Sequence, residues 1–479
     1  MPSVPTTLDA YVLMHRGALA LARVEHNGIK IDLAYLKQAV KDADVKISML
    51  DNELKADPTY QVWAKEFGKK TNLNSDQQKL RVVFDLLKYT HPGKLTKGQN
   101  LASDAEVYEN IDLPFVRKHT EYKEWQHVKK LLLKIDEETV DGLMHPVFNL
   151  HTTTTYRSSS GADKSEGRVS RDFNFQNAPR RNEAMAAVIR RCFIAREGCR
   201  LVENDFGAHE FKGAAIFWQD PELIRCATEV DPHRLFSTWI FKCDPKEVSK
   251  GVRDVVKNQF TFPILYGSYY AKIAQRIWVL LDKLDTRMVD GTKVKDWLAG
   301  KGIEELGACN PKERPRAGTF EQHVKEVEDR FKKRFKVFAE KAEQWWQDYR
   351  KRGWFRMPTG FLVKGILSRN DLLNWPIQGS CFHFLLYTLI VVQKELRKRA
   401  MWTLLVGQIH DCLNSDVPDD ELQDYLNLVQ QVVAEELPRK WPFINIPLEI
   451  EAEVTGVGED WYSKKQWVKK DGIWAPKAA

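Results

Sequence analysis

The chain has 479 residues, a formal net charge of +7 at pH 7 and an apolar fraction of 43%, which excludes a disordered chain and predicts about two to four packed units. Its seven cysteines show no Cys-x-x-Cys spacing, which argues against a disulfide framework or a zinc ribbon and favours a reducing compartment. The longest apolar run, residues 381–392, is too short to span a bilayer, and the first residues lack the pattern of a signal peptide.

The first 145 residues predict an all-helical module. Helices are expected over residues 8–26, with Thr7 as the cap, and from residue 33 onward, with Asp32 as the cap. A later helix over residues 113–135 interleaves lysines with apolar side chains, a pattern that suits contact with a phosphate backbone. A helical bundle with solvated lysines explains the same pattern equally well.

Residues 151–177 change in composition to Thr, Ser, Arg and Gly, which predicts a loop region. Arg157 and Arg168 in this loop are candidate nucleic-acid contacts, because guanidinium groups bind both phosphates and base edges. Basic pairs at residues 180–181 and 190–191 also suit a polyanionic partner. Such surface pairs are usually only solvated, so they do not by themselves indicate nucleic acid.

Residues 201–212 predict a strand that ends in a turn and is followed by a helix. Asp205 lies at the predicted strand end, Gly207 marks the break, and Glu210 falls on the first helical turn. A carboxylate at a strand end is a suitable ligand for Mg²⁺, although a single Asp at such a turn is more often a helix cap. The metal interpretation therefore needs a second carboxylate.

Asp411 is the candidate for that second carboxylate. Residues 402–416 predict a hairpin with its turn at His410 and Asp411. If this hairpin lies beside the strand of Asp205, the two carboxylates converge and can hold two magnesium ions about 3.5–4 Å apart, as in-line phosphoryl transfer requires. Because a His-Asp dipeptide is common, the inference depends on the pairing of the two strands.

The segment between the two aspartates supplies cations. Arg253 and Lys257 are four residues apart, so a helix would place both charges on one side, where they form a clamp for a triphosphate. An exposed basic helix face is the alternative interpretation. Residues 268–352 are expected to be mostly helical, and an apolar helix is expected to begin at Asn374.

Taken in this order, the motifs resemble the polymerase region of family A (Pol I-like) DNA polymerases over nearly the whole chain. The resemblance is carried by VEHNGIKID (24–32), NLNSDQQKL (72–80), FQNAPR (175–180), IRRCF (189–193), DFGAHEFK (205–212, motif A), RDVVKNQFTFPILYG (253–267, motif B), HD (410–411, motif C) and PLEIEAEVTG (447–456) with Trp461. It implies an α+β, right-hand polymerase fold, in which a palm with an antiparallel sheet carries a helical thumb and helical fingers. The expected domains are 1–145, mainly thumb with an N-terminal palm edge; 146–225, the first palm part with motif A; 226–368, the fingers with motif B; and 369–479, the second palm part with motif C.

The resemblance implies a role for each matching position. Asp205 and Asp411, with the carbonyl of Phe206, would hold two magnesium ions, for which manganese can substitute. Lys257 would also protonate the departing pyrophosphate. The residues expected to hold the triphosphate are Arg253, Lys257 and His233.

The sugar and the DNA have their own implied contacts. Glu210 would act as a steric gate, because its carboxylate fills the space that a ribose 2′-hydroxyl needs. Phe262 and Tyr266 would form the fingers side of the nucleotide pocket. The expected DNA contacts are Arg157, Arg168, Gln378, His410 and Asn374. Among these, Arg157 and Gln378 would read the minor groove, Arg168 competes with Arg157 for its role, and His410 would support the primer end.

Two departures from the family pattern have structural consequences. Cys412 stands where motif C usually has Glu, so a third, auxiliary carboxylate is missing there, while the two aspartates suffice for the chemistry.

Motif B holds one extra residue between Lys257 and Tyr266, which would rotate the following residues by about 100° on a regular helix. Because Pro263 cannot donate a helical hydrogen bond, we expect a bulge or kink at residues 258–262. Either residue 261 or residue 262 could then face the sugar.

The activity implied is template-directed addition of deoxynucleotides to a primer 3′ end, with no proofreading domain in this chain. The chain would be a polymerase without proofreading, a fragment, or one half of a split enzyme. Glu210 argues against a single-subunit RNA polymerase, and motif C lacks the paired aspartates of reverse transcriptases. A catalytically silent nucleic-acid-binding subunit is the rival from another class.

Several expectations concern partners and location. The implied partners are primer–template DNA and dNTPs, with a separate exonuclease, helicase–primase or processivity subunit as further candidates. The chain is expected to act as a monomer without a membrane. The expected location is the cytoplasm of a bacterial or phage-infected cell, and an organelle remains an alternative.

Overall fold

The computed structural model describes residues 4–91, 101–103, 105–108, 111–161, 173–180, 182–310 and 312–477. The helices are α1 Thr7–Asn27, α2 Leu33–Ala56, α3 Pro58–Phe67, α4 Asp76–Leu80, α5 Ala105–Tyr108, α6 Pro114–Glu138, α7 Glu183–Arg190, α8 His209–Trp218, α9 Pro221–Glu229, α10 Pro232–Phe241, α11 Lys250–Val256, α12 Phe262–Leu265, α13 Tyr270–Lys283, α14 Val294–Ala299, α15 Phe320–Arg334, α16 Lys336–Arg352, α17 Arg369–Lys398, α18 Leu422–Gln431 and α19 Leu437–Lys440. Single π-helical segments occupy Arg81–Leu86, Lys257–Thr261 and Val432–Glu436.

The strands are β1 Ile29–Ile31, β2 Thr139–Val140, β3 Leu143–Met144, β4 Phe148–Asn149, β5 Ser159–Ser160, β6 Phe193–Ile194, β7 Cys199–Phe206, β8 Trp354–Arg356, β9 Leu362–Lys364, β10 Leu404–Ile409, β11 Cys412–Pro418, β12 Ile450–Val454, β13 Lys465–Lys470 and β14 Ile473–Pro476. All strand pairs within the described ranges are antiparallel. The expected α+β class is therefore confirmed.

The N-terminal helices begin at side-chain caps. Thr6, and not Thr7 as expected, caps α1: its side chain accepts the Asp9 N–H, and the Asp9 carboxylate accepts the Thr6 N–H at 2.8 Å. This reciprocal pair satisfies two backbone donors, which explains why the helix begins one residue earlier than expected. Asp32 caps α2 as expected, by accepting the Tyr35 N–H at 2.9 Å.

Two small apolar clusters lie in the N-terminal part of the chain, apart from the main core. The first cluster includes Leu54 and Trp63, both fully buried, and the second includes Val83 and Val116. The main core takes in α1, the start of α2, the large sheet and most of the remaining helices. Part of the region from α2 to α6 therefore packs around these two small clusters and not around the main core.

The large sheet has the strand order β10-β11-β7-β12-β13-β14 and positions the candidate site. Strand β7 lies between β11 and β12, and its side chains alternate between the two faces. Asn204 and Phe206 are buried on one face, whereas Glu203 and Asp205 are partly exposed on the other. The second face is therefore the one on which polar chemistry can take place.

The longest helix, α17, crosses the core. It begins at Arg369, five residues before the expected start, because Ser368 and Asp371 form a reciprocal cap there. Among the described residues it is the one helix long and apolar enough to cross a membrane, but 72% of its apolar window is buried inside the protein. Packing against the core accounts for this apolar composition.

Candidate active site

Asp205 and Asp411 lie at the same end of two neighbouring strands. Cys412 of β11 pairs directly with Asp205 of β7, and Asp411 precedes Cys412 in the two-residue turn between β10 and β11. Directly opposite residues in an antiparallel pair have Cα atoms about 4.5–5.5 Å apart. The predicted convergence of the two strand ends is thus confirmed.

The charges of the two aspartates act on each other. Burial, and then the charge of Asp411, raises the pKa of Asp205 to about 6. Burial acts to raise the pKa of Asp411, but His209, with smaller contributions from Arg157 and His410, lowers it overall. Nδ1 of His209 lies 3.5 Å from Asp411 Oδ2. Two carboxylates crowded in this way are stabilised when a cation binds between them.

The donors at this strand end fit magnesium. Among the described residues, no group of three or more His, Cys, Asp or Glu side chains could hold one metal ion. The available donors are therefore the carboxylates of Asp205 and Asp411 and the carbonyl of Phe206, which ends β7. These are hard oxygen donors that leave coordination positions for water and phosphate, as Mg²⁺ prefers.

His209 lines the same strand end. Only 4% of it is exposed, and its Nδ1 faces the Asp411 carboxylate. Burial opposes its protonation, but Cys381 and Asp411 raise the pKa of His209 well above the ordinary value. Its ring also stacks on Phe206 with centroids 4.2 Å apart, which fixes its orientation. A buried cation next to Asp411 accounts for the lowered pKa of that aspartate.

The extra residue of motif B is accommodated by a π-helical turn at Lys257–Thr261, where the Phe262 N–H bonds to the Lys257 carbonyl. The expected bulge at residues 258–262 is therefore confirmed. A π turn takes up one additional residue without changing the direction in which the flanking helices face. Arg253 before the turn and Tyr266 after it can thus serve one pocket.

The predicted phosphate clamp is partly occupied by protein groups. Nε of Arg253 donates to Asp231 Oδ2 at 2.6 Å, and Asp231 Oδ1 caps α10 by accepting the N–H of His233 at 3.0 Å. Burial, and then the charges of Arg253 and Lys257, lower the pKa of His233 to about 4. At neutral pH His233 is therefore uncharged and can contribute a hydrogen bond but no positive charge.

Glu210, the expected sugar gate, is connected to two of the expected DNA contacts. Gln378 Nε2 donates to Glu210 Oε1 at 3.4 Å, and Arg157 Nη1 donates to Gln378 Oε1 at 3.3 Å. Burial, and then the charge of Asp411, raises the pKa of Glu210. The structure thus brings Glu210, Gln378 and Arg157 together in one hydrogen-bonded row beside the aspartates.

A cavity of about 340 Å³ opens beside motif B. Phe262, Tyr266 and Asn374 line it, and Oδ1 of Asn374 has no hydrogen-bond partner among the described residues. Thr261 is fully buried, with Oγ1 3.2 Å from His233 Nδ1. Phe262 therefore faces the cavity, and Thr261 does not.

His410 occupies the exposed turn before Asp411 with a φ of +49°. Its carbonyl accepts a hydrogen bond from Gln408 Nε2 at 2.6 Å. Gln408 is buried, and its Oε1 accepts from Gln176 at 2.8 Å and from Ser158 at 2.5 Å. Side chains near Arg157 thus hold the turn in place. Arg168 lies outside the described residues.

The sequence analysis assigned no role at the site to two residues, Arg180 and Gln408. Arg180 is close enough that its charge lowers the pKa of Asp205, after the larger effects of burial, Asp411 and His209. The sequence feature that could have identified Arg180 is its position in the FQNAPR segment. Gln408 was not identified because a buried Gln within an apolar strand carries no periodic signal; only its contacts reveal it.

Comparison with known proteins assigns the fold and then the family. The structure of the POL domain of Pol1 from M. smegmatis, in complex with DNA primer-template and dNTP, superposes with a TM-score of 0.70 at 21% identity, and the match covers 94% of this chain and 70% of that one. The chain therefore has the right-hand polymerase fold. The model of DNA polymerase family A matches residues 46–286 and 322–463. The chain belongs to DNA polymerase family A.

Relatives of known name agree with this assignment. The thermostable DNA polymerase I of Thermus thermophilus is 27% identical over 456 residues, which span 93% of this chain and 47% of that protein. The DNA polymerase I of Lactococcus lactis is 26% identical over 94% of this chain and 45% of its own length. The DNA polymerase of Escherichia phage T5 is 29% identical over 288 residues. The chain thus spans about half the length of the first of these curated relatives.

Proposed function

We propose that the chain is a DNA-directed DNA polymerase that adds deoxynucleotides to a primer 3′ end. The supporting observation is the convergence of Asp205 and Asp411 at one end of β7 and β11 in a member of family A. The complex of the M. smegmatis POL domain with primer-template and dNTP suggests the same substrates here. In this proposal α2–α6 belong to the thumb, the large sheet to the palm and motif B to the fingers, with the domain limits given above.

Asp205, Asp411 and the carbonyl of Phe206 would hold two magnesium ions. When bound, the ions would lower the pKa of the primer 3′-hydroxyl and neutralise charge on the phosphorus oxygens. Asp205 must be ionised to bind them, and its pKa of about 6 means that it is largely ionised above neutral pH. The protein thus supplies a negative, preorganised strand end at neutral pH.

Motif B would hold the triphosphate. Arg253 exchanges its bond to Asp231 for a phosphate oxygen, which is a charge-assisted contact of the same kind. Lys257, one turn further on, binds the leaving phosphates and donates a proton to the pyrophosphate. Neutral His233, held by Thr261, donates a hydrogen bond without adding charge.

Selection of sugar and base would rest on the hydrogen-bonded row. Glu210 fills the space of a 2′-hydroxyl, and Gln378 and Arg157 fix its position while reading acceptors common to correct base pairs. Phe262 and Tyr266 line the fingers side of the pocket, with Asn374 across from them. His410, on the exposed turn, would support the primer end.

The remaining parts of the proposal concern the setting of the enzyme. Bacterial and phage relatives support action in the cytoplasm of a bacterial or phage-infected cell. We propose that this chain extends primers without proofreading, as a monomer. A separate exonuclease, helicase–primase or processivity subunit is the expected kind of partner.

A primer-extension assay tests the proposal. The chain should extend a DNA primer on a DNA template with magnesium and four dNTPs, and extension should fall by more than a hundredfold with D205A or D411A. Extension by either variant within tenfold of the parent would overturn the two-metal assignment. A silent DNA-binding subunit would give no extension with any variant, and a 3′-labelled primer without dNTPs reports proofreading separately.

A further inference from the structure

We propose that Glu451 of β12 acts on the metals held by Asp205 and Asp411 as the auxiliary carboxylate that motif C lacks at Cys412. The inference rests on the proposed two-metal function. It assigns a positioning role to a residue on a strand that carries none of the three catalytic motifs.

The sheet register places Glu451 beside Asp205. On one side of β7, Asp205 pairs with Cys412, and on the other side it pairs with Glu451. Residues directly opposite in neighbouring strands share a face of the sheet, with Cβ atoms about 4.5–5.5 Å apart. Asp205 therefore has one flanking position filled by a thiol and the other by a carboxylate.

Cys412 cannot serve as the auxiliary ligand. Only 8% of it is exposed. The soft sulfur of a thiol is a poor partner for a hard cation such as magnesium. The carboxylate directly opposite Asp205 in the sheet therefore belongs to Glu451 of β12.

The carboxylate of Glu451 lies near Gly207, the residue after Phe206. A Cβ added at Gly207 would lie 3.6 Å from Glu451 Oε1. The N–H of Gly207 donates to the carbonyl of Glu449 at 3.0 Å, which keeps β12 alongside the end of β7. Glu451 thus lies over the peptide that follows Phe206, whose carbonyl is one of the proposed ligands.

The charge of Glu451 is not used elsewhere. Its neighbours on the same face, Glu203 and Glu453, both form ion pairs with Lys464. Glu451 forms no ion pair with another residue of the described part of the chain and is exposed to solvent.

Glu451 would act through metal-bound water. The described side chains contain no group of three close enough to share one ion, so direct ligation by Glu451 together with both aspartates is excluded in this conformation. Magnesium keeps several of its waters in protein sites. A carboxylate beside Asp205 can accept hydrogen bonds from such waters and raise metal affinity by its charge.

The test compares E451Q with E453Q. Manganese binding is measured by electron paramagnetic resonance on the complex with a dideoxy-terminated primer–template and dNTP, and half-saturation by magnesium is measured in single-turnover extension. E451Q should weaken manganese binding and raise the magnesium concentration at half-saturation, each by about tenfold. This is the lower end of the effect found for residues that hydrogen-bond to the groups around a metal ion. E453Q, which alters a carboxylate already paired with Lys464, should leave both unchanged. At saturating magnesium the KM for dNTP of E451Q should equal that of the parent.

Rescue separates this role from a structural one. C412E/E451Q should recover metal affinity, because it restores a carboxylate on the other side of Asp205, and E451D should lose less than E451Q. Parental metal binding by E451Q, or an equal loss with E451D and E451Q, would overturn the proposal. If C412E proves unstable by thermal melting, the comparison of E451D with E451Q decides. Failure of the parent to extend primers would instead overturn the proposed function.

Discussion

Gln378 donates a hydrogen bond to Glu210 over 3.4 Å, which connects the long core helix α17 to α8, the helix that begins within motif A. Gln378 at the same time accepts a bond from Arg157, so that one amide connects the proposed sugar gate to a proposed reader of the minor groove. The carboxylate of Glu210 is therefore held by a side chain that is itself hydrogen-bonded to Arg157.

The first prediction concerns sugar selection. E210A should raise incorporation of ribonucleotides relative to deoxynucleotides by about tenfold or more, a change of ~1.4 kcal/mol or more in barrier difference. Competition between rNTP and dNTP in single-turnover extension measures the ratio. Q378A leaves the carboxylate in place and removes its support together with the proposed minor-groove contact, so it should raise the ratio less. An unchanged ratio for E210A would show that Glu210 does not act as the gate.

The second prediction concerns the phosphate clamp. R253A should raise the KM for dNTP by about tenfold or more, because a charge-assisted hydrogen bond contributes roughly 1.5–3 kcal/mol. D231N should lower this KM, because Arg253 no longer leaves an ion pair in order to bind phosphate. Asn caps helices as well as Asp does, so α10 should stay intact in D231N. A KM raised by D231N would contradict the exchange of partners.

The third prediction concerns the extra residue that the π turn of motif B accommodates. Deletion of the exposed Asn258 removes the one extra residue of motif B and should convert Lys257–Thr261 to regular helix. Because the π turn takes up that residue alone, stability and extension rate should stay near those of the parent. Deletion of Asp254 in the regular helix α11 should instead turn Arg253 by about 100° relative to the residues after the deletion. The midpoint of thermal unfolding and the KM for dNTP distinguish the two deletions.

The fourth prediction concerns acid stability. His383 is fully buried, with its ring 4.0 Å from that of Phe361, and burial lowers its pKa to about 3. As the pH falls below 6.5, the unfolded chain takes up this proton first, so stability is lost progressively between pH 6.5 and 3. At pH 5 the loss should reach about 2 kcal/mol.

Urea unfolding of H383Q at pH 7.5 and pH 5 measures this contribution. The free energy of unfolding should differ between the two pH values by about 2 kcal/mol less in H383Q than in the parent. Replacement of the exposed His26 by Gln should leave the difference as in the parent. Equal pH dependence in H383Q and the parent would show that the buried ring accepts a proton without cost.

The sequence predicted the local elements at the site well. The strand ending at Asp205, the turn, the helix bearing Glu210 on its first turn and the two-residue hairpin at Asp411 all have short-range signals. The bulge in motif B was also predictable, because an extra residue and a proline occur together within one helix.

Contacts across strands and between distant segments had no such signal. The ion pair of Asp231 with Arg253, the placement of Arg180 near Asp205 and the burial of Thr261 are found only in the folded chain. The two contacts join residues whose spacing along the chain follows no helical or strand period, and no such period marks Thr261 as buried. Sequence reasoning therefore found the charged groups but not which of them neutralise each other.

By itself the sequence determined that this chain carries the ordered motifs of a family A polymerase, since strand ends, turns and helix caps are encoded by residues within a few positions of one another. Only the tertiary structure decided that Glu451 stands opposite Asp205. Strand register is set by packing of one whole face of a sheet, and a slip of one residue would have placed that carboxylate on the buried side.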